Sequence, residues 1–397
     1  MVTIFMERSC GCPAAALRVD WSRGTAGGAG PRAYSPPAEG ERLLIEETEV
    51  PGYERVAYAE EPEEGYRAII AVHSTALGPA VGGTRLWSYA SREEALTDAL
   101  RLARGMTYKN ALAGLAAGGG KAVILAPEPV ADRAALFRAH GRFVAAFGGS
   151  FSTGEDVGTG PDDMAYIAQE TPHVGGLAHG LGDPSPHTAR GVFRAMQAAV
   201  LHARGSAELA GVTVAVQGCG NVARNLAGLL REAGARLVVA DVDRAKALRL
   251  ASDFGAGVVE PEEIYGAPAD VFAPCALGGV LDDRTIPLLA ARIVCGGANN
   301  QLLEPRHGEM LAERGILYAP DYVANGGGVI AGVGDMRGED PAVTAARVEA
   351  IHDTMLAVLR MAAERGITPE RAADMLAEER LAAGTPLASL LKVERPE

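Results

Sequence analysis

The stretch that most constrains this chain's fold runs from Val212 to Asp241. Val212-Thr213-Val214-Ala215-Val216-Gln217 is a near-continuous apolar run, the pattern of a strand buried on both faces. Gly218-Cys219-Gly220-Asn221-Val222-Ala223 follows at once and leads into a helical segment from Asn225 to Glu232. Leu237-Val238-Val239-Ala240 reads as a second strand and ends at Asp241. A bare G-x-G-x-x-A is a weak signal that any turn can mimic; strand, glycine turn, helix, strand and acid in this order specify a dinucleotide-binding βαβ unit. Gly218 and Gly220 permit a tight turn and close approach of a pyrophosphate, and the helix start at Asn221 and Val222 offers free N–H groups and a positive dipole. Asp241 stands about 20 residues on, where a carboxylate accepts from ribose hydroxyls. It would repel a 2′-phosphate, so the expected cofactor is NAD.

A second stretch, Gly105 to Leu125, carries Lys109 and Lys121 in surroundings almost free of other charge. Lys109 follows a helical pattern. Lys121 ends the run Gly118-Gly119-Gly120 and opens an apolar run to Ala126 that reads as a buried strand. An amine in that position is poorly solvated on one side, which disfavours its ammonium form and lowers its pKa. A lysine tuned near neutrality can serve as a general base. The plainer alternative is two surface lysines beside a loop. A phosphate loop is excluded: Leu115 stands where its first glycine belongs, and no Ser or Thr follows Lys121.

Composition narrows the class. With 397 residues, 48% hydrophobic and 22% charged, the chain has room for two domains with full cores. A formal charge of −13 argues against nucleic acid or an anionic membrane as partner. No apolar run reaches the length of a membrane span. Cys10, Cys12, Cys219, Cys275 and Cys295 fit neither a disulfide framework nor a zinc site. No metal is expected. Buried free thiols suit a reducing cytoplasm.

Residues 1–42 have no sustained period and read as a tail without structure. They contain Cys10-Gly11-Cys12, and Met1 could be an over-extended start. Order is expected from 43. Ser91-Arg92-Glu93-Glu94 is a capping box opening a helix with apolar positions Ala95, Leu96, Ala99, Leu102, Ala103 and Met106. A helix from 131 to 147 follows, then the polar run Phe151 to Thr159. There Asp156 is either an acid/base group or an Asx-turn residue. A helix from Thr188 to Arg204 introduces the second domain. Further strands are expected at 270–273, 292–295 and 316–319. Adjacent Asn299 and Asn300 follow one strand end, as crevice residues or turn formers. Asp321 to Val329 reads as a glycine-rich crossing. A helix beyond Pro341 carries Val348, Ile351, Met355, Val358, Leu359 and Ala362 on one face.

With both halves read, the chain resembles the glutamate/leucine/phenylalanine/valine dehydrogenase family from about Glu54 to Ala382. The resemblance is carried by Gly78–Trp87 (GPAVGGTRLW), Gly105–Gly114 (GMTYKNALAG), Gly118–Ile124 (GGGKAVI), Gly154–Thr159 (GEDVGT), Gln217–Ala223, Ala273–Gly279 (APCALGG), Gly297–Leu302 (GANNQL) and Tyr318–Ile330 (YAPDYVANGGGVI). It implies an α/β protein of two domains. An N-terminal substrate domain, 43–186, is followed by a Rossmann domain, 187–340, and a C-terminal segment, 341–385, packs back on the first. The gap between the domains is expected to close over substrate.

Roles are implied position by position. Lys109 matches the lysine that binds the substrate α-carboxylate, Lys121 the catalytic lysine, and Asp156 the aspartate that moves protons with it. Val81, Gly82, Met106, Gly154, Asn325 and Val329 match substrate-binding positions. Thr188, Ala276 and Asn299 join Gly218, Gly220, Asn221, Val222 and Asp241 around the cofactor. The implied reaction is reversible oxidative deamination: hydride passes from Cα to NAD, and neutral Lys121 activates the water that attacks the iminium. Glutamate-specific relatives carry a lysine at the place of Val81, so an apolar substrate is implied, leucine and other branched-chain amino acids first. Valine or phenylalanine on the same mechanism is the alternative; Gly154 and Gly332 remove side chains, and the larger pocket this implies would suit a substrate bulkier than leucine. A homo-oligomer is implied, with an octamer as one form. A non-catalytic NAD-binding sensor is the distant alternative; it would keep Gly218, Gly220 and Asp241 and lose the lysine–aspartate group. A hydroxy-acid dehydrogenase would need a His/Arg pair that the sequence does not place as well.

Overall fold

The computed structural model describes residues 43–126, 130–177 and 182–384, with the backbone of 2–6 and 15–19. Cys10-Gly11-Cys12, and Gly180 and Leu181 of the Gly175–Pro186 loop, lie outside them. Within the tail, β1 (Val2–Met6) and β2 (Ala15–Val19) pair antiparallel, where no structure was expected. By their contacts the residues form two units. One is Met1–Ala111, Leu115–Gly182 and Leu381–Glu397; the other is Leu112–Gly114 and Asp183–Arg380.

The first unit is built on a sheet of β3 (Leu44–Thr48), β4 (Arg55–Glu61), β5 (Tyr66–Ser74), β6 (Ala80–Val81), β7 (Thr84–Trp87), β8 (Gly118–Leu125) and β9 (Phe151–Ser152). Its order is β3-β4-β5-β8-β6-β9, with β7 also on β8. β3, β4, β5 and β8 pair antiparallel, while β6 and β7 run parallel to β8. Helix α1 (Arg92–Leu112) covers one face and α2 (Arg133–Ala145) the other; α3 (Pro161–Ile167) packs on α2. The pleat divides the core. Ala122 and Ile124 join Leu136, Phe137 and Phe143 of α2, whereas Val123 and Leu125 join Leu96, Leu100 and Ala103 of α1.

The capping serine forms its half of the box, and the glutamate reaches one residue further back than the motif requires. Ser91 Oγ accepts from Glu94 N at 3.2 Å, and the Glu94 carboxylate reaches back to Ala90 N at 2.7 Å. Lys109 lies inside the last turn of α1 rather than after it. The glycine run also departs from expectation. Gly118, Gly119 and Gly120 are not a loop before the strand; they are its first three residues, buried like the rest of β8. A Cβ on Gly119 would strike Thr107 of α1, one on Gly118 the Ser74 carbonyl, and one on Gly120 the Phe151 ring. Bare backbone is what lets α1, β5 and β9 close on β8.

The second unit opens with α4 (Ser185–Arg204) and holds an all-parallel sheet ordered β12-β11-β10-β13-β14-β15. These strands are β10 (Thr213–Gln217), β11 (Arg236–Ala240), β12 (Gly257–Val258), β13 (Val271–Pro274), β14 (Ile293–Val294) and β15 (Leu317–Tyr318). In chain order this is 3-2-1-4-5-6, the doubly wound dinucleotide arrangement, with its switch point between β10 and β13. Crossovers use α5 (Asn221–Glu232), α6 (Arg244–Phe254) and α7 (Arg306–Glu313). The stretch read as a glycine-rich crossing is helical, as α8 (Asp321–Ala324) and α9 (Gly327–Met336). Next come α10 (Pro341–Glu349), α11 (Ile351–Arg365) and α12 (Pro369–Ala383). Residues 341–385 were expected to pack back on the first domain; those from Leu381 group with the first unit. α11 packs chiefly on α4, and the chain groups with the second unit through Arg380. The apolar face carrying Met355, Val358 and Leu359 is buried, and Ile351 at the start of α11 lies against Gly191 of α4.

Candidate active site

In the first unit the pleat decides where Lys121 points. It shares the parity of Val123, so its side chain leaves β8 on the α1 side. It is 5% exposed, and its Nζ lies 2.8 Å from Asp156 Oδ2. Asp156 arrives from the loop after β9. Its backbone N–H donates to Thr159 Oγ1 at 2.9 Å, and the Thr159 hydroxyl donates to Thr84 O at 3.0 Å. The loop is therefore tied to β7, and the Asx-turn alternative gives way to an ion pair with Lys121.

Burial lowers the Lys121 pKa, Asp156 opposes that, and the charge of Arg85 lowers it further. Burial would raise the Asp156 carboxyl, but Lys121 and Arg85 override it and hold it below the ordinary range. Arg85 is the residue that sequence reading passed over. Register pairs it with Val123, so it too leaves the sheet on the α1 side. Its Nε donates to Asp156 Oδ2 at 3.0 Å and its Nη1 to Asp98 Oδ2 at 2.9 Å. Asp98, on α1, also accepts from Tyr89 Oη at 2.7 Å and Arg101 Nη2 at 3.0 Å. The available signal was an acid set between the apolar positions Ala95, Leu96 and Ala99 of α1.

The other first-unit positions border the same strands. Lys109 and Met106 are half-buried on the last turns of α1. Asn110, next to Lys109, is fully buried and donates to Gly118 O at 2.6 Å, fixing the helix end against β8. Val81 and Gly82 are buried beside β8, where a Cβ on Gly82 would strike the Gly120 carbonyl. Gly154 accepts from Thr84 N at 2.8 Å. A Cβ there would meet only Gly175 O, at 3.8 Å.

In the second unit the glycine turn sits between β10 and α5 at the switch point. Gly218 has φ +91°, and a Cβ on it would lie 2.8 Å from Ala276 Cβ, so glycine is required twice over. Gly220 caps α5 with no side chain, and nothing lies within 4 Å of where its Cβ would be. The turn is thus open at Gly220, and a helix start of this kind offers N–H groups to a pyrophosphate. Asn221 donates to Asp183 Oδ2 at 3.2 Å. Val222 lies against Gly297. Asp241 ends β11 and accepts from Cys219 N and Asp243 N, both at 2.7 Å. Each carboxylate oxygen retains lone pairs for a ribose. These residues fit a dinucleotide.

Around the neighbouring strand ends, Asn325 is 3% exposed and its Nδ2 donates to Asn299 Oδ1 at 2.7 Å. Its own Oδ1 is buried with no hydrogen-bond partner, an acceptor awaiting a donor. Asn300 takes the left-handed turn, φ 51°, so of the two adjacent asparagines one makes the turn and the other meets Asn325. Thr188 donates to Pro184 O at 3.1 Å and faces Gly328, one residue before Val329 at the start of α9. The structure therefore brings together Lys121 and Asp156 in one unit, and Asn299 with Asn325 in the other. Among the described residues no three His, Cys, Asp or Glu side chains form a group that could hold a metal ion, and no helix is long and apolar enough to cross a membrane.

Comparison with known proteins agrees with this organisation. Residues 54–173 match the Glu/Leu/Phe/Val dehydrogenase dimerisation domain, and residues 180–248 and 242–385 match Glutamate/Leucine/Phenylalanine/Valine dehydrogenase. The chain is 50% identical to a leucine dehydrogenase of Geobacillus stearothermophilus over 341 residues, 85% of this chain and 93% of that one. It is also 50% identical to an L-tryptophan dehydrogenase of Nostoc punctiforme over 341 residues, 85% and 96% of the two chains. The crystal structure of the Nostoc punctiforme enzyme superposes with a TM-score of 0.77 at 48% identity, covering 84% of this chain and 97% of that one. By sequence over most of its length, and by a fold that joins a buried lysine–aspartate pair to a doubly wound sheet, the chain belongs to the glutamate/leucine/phenylalanine/valine dehydrogenase family of amino-acid dehydrogenases.

Proposed function

We propose that the protein is an NAD-dependent dehydrogenase of apolar L-amino acids, leucine and other branched-chain substrates first. It would convert them reversibly to the 2-oxo acid and ammonia. The observation that carries the reading is the buried ion pair of Lys121 with Asp156, 2.8 Å apart. An amine taken out of water gives up its proton more readily, which is what a general base near neutral pH requires. Lys109 would pair the substrate α-carboxylate, and Val81 cannot pair a side-chain carboxylate, so glutamate is disfavoured. Gly218, Gly220, Asn221, Val222 and Asp241 would hold NAD, with Thr188, Ala276 and Asn299 beside them. When bound, NAD supplies the hydride acceptor. Lys121, neutral, takes a proton from the water that attacks the oxidised Cα, and Asp156 keeps that amine oriented and handles protons as ammonia leaves. Asn325, with its unpartnered Oδ1, would accept from the substrate's amino group.

Cys219, Cys275 and Cys295 are free thiols, which suits a cytoplasmic enzyme. The match of the first unit to a dimerisation domain supports a homo-oligomer, of which an octamer is one form. A bulkier substrate is the second reading. The space beside Gly154, and Gly332 with nothing within 4 Å of its Cβ position, favours it, as does the tryptophan dehydrogenase relative. The test is an initial-rate panel of L-leucine, valine, isoleucine, phenylalanine, tryptophan and glutamate with NAD, repeated with NADP. Leucine and its branched neighbours should give the highest kcat/KM with NAD, with overlap because one methylene discriminates by only about 1–3 kcal/mol. A clear preference for glutamate, or no turnover with any of these, would overturn the proposal.

A further inference from the structure

We propose that Arg85, locked in place by Asp98, is a positioning residue that holds Asp156 on Lys121 whether that amine is charged or neutral. The proposal rests on the reading of Lys121 as the base. Lys121 Nζ and Arg85 Nε meet the same oxygen, Asp156 Oδ2, at 2.8 and 3.0 Å. A base must pass through its neutral form. At that moment a carboxylate paired only with Lys121 would lose its counter-ion while still largely out of water, and would take up a proton or swing away. Arg85 does not titrate in the working range, so Asp156 keeps one full ion pair throughout.

Arg85 is itself held on two sides. β-register fixes its backbone opposite Val123. Asp98 Oδ2 takes its Nη1 at 2.9 Å, and that carboxylate is fixed in turn by Tyr89 and Arg101. The result is an alternating row, Lys121, Asp156, Arg85, Asp98, drawn from β8, the loop after β9, β7 and α1. The charged groups that act on Lys121 from these elements include Asp156, Arg85 and Asp98. Asp156 and Asp98 favour its ammonium form and Arg85 disfavours it. The two ends of the Arg85–Asp98 pair therefore act on the base with opposite sign.

That sign difference is the test. The pH dependence of kcat for deamination of leucine with NAD is measured on the full chain and on Arg85→Met, Arg85→Lys and Asp98→Asn. Substrate ammonium titrates alike in all four, so displacement between them reads the protein. Arg85→Met removes a cation beside Lys121, so the ascending limb should move to higher pH by about 1 unit, with a lower plateau. Arg85→Lys keeps the charge and should restore much of the limb. Asp98→Asn should move the limb to lower pH. Limbs that stay with the wild type in both Arg85→Met and Asp98→Asn, or that move the same way, would overturn the proposal, since a purely structural role changes yield and Tm but not the sign of a shift. If Arg85→Met does not fold, Arg85→Lys and Asp98→Asn still decide it. An unimpaired Lys121→Ala enzyme would instead remove the base itself; an inactive Lys121→Ala with unmoved Arg85 and Asp98 limbs would overturn only the role given to Arg85.

Discussion

A fully enclosed lysine is stable only if something repays its lost hydration, and here one carboxylate serves Lys121 and Arg85 together. Removing the amine should be severe for chemistry and mild for binding. Lys121→Ala is predicted to lower kcat by at least 10²–10⁴-fold, the range for a positioned acid or base. NAD titration by fluorescence should return nearly the wild-type dissociation constant, because the residues proposed to hold NAD belong to the second unit. Normal turnover would eliminate the assignment. The residue scale also shows what a sequence can offer. Lys121 stood out because a charge beside three glycines and an apolar run is rare. Arg85 did not, because its role depends on β7 lying against β8 and on α1 bringing Asp98 across the same face, contacts that join positions far apart in the chain.

At the scale of elements, the turn from β10 into α5 was legible in full. Strand, glycine turn and helix are adjacent in sequence, so local rules suffice. Its boundary moved only slightly, with α5 starting at Asn221 rather than Asn225. Asp241 does more than was expected, bracing the turn through Cys219 N and Asp243 N as well as facing the proposed ribose. Asp241→Ala should raise the dissociation constant for NAD at least tenfold, given about 1.5–3 kcal/mol for hydrogen bonds to a charged group. It should also relax the discrimination against NADP. Asp241→Asn, which keeps one of the two acceptors bracing the turn, should relax it with less loss of Tm than Asp241→Ala. An unchanged NAD/NADP ratio in both variants would remove the proposed role. The glycine run before Lys121 was misread for a related reason. Glycines suggest loops, yet a buried strand that must admit Thr107, Ser74 and Phe151 against its backbone also needs them.

For the molecule as a whole, two expectations met different fates. The tail forms one antiparallel pair that joins neither larger sheet, and two lone strands are marginal in water. Deleting residues 1–42 should therefore change Tm by no more than about 1–2 °C, below the roughly 2–4 °C that 1 kcal/mol produces in a domain of about 150–250 residues, with kcat/KM intact. A drop beyond that in a thermal scan would show that the tail contributes to folding. The helices from Pro341 were expected on the first domain; α10 and α11 pack on α4 of the second unit, and the chain groups with the first from Leu381. An amphipathic period states that a face will be buried without naming its partner. By itself the sequence determined the periodicities, the dinucleotide turn and the charged residues stranded among apolar ones, because these are written in neighbouring residues. Tertiary structure alone decided which distant faces meet: α11 with α4, Asn325 with Asn299, and Arg85 with Asp156 and Asp98. Such pairings follow from sheet register and shape matching across long separations, which no local pattern encodes.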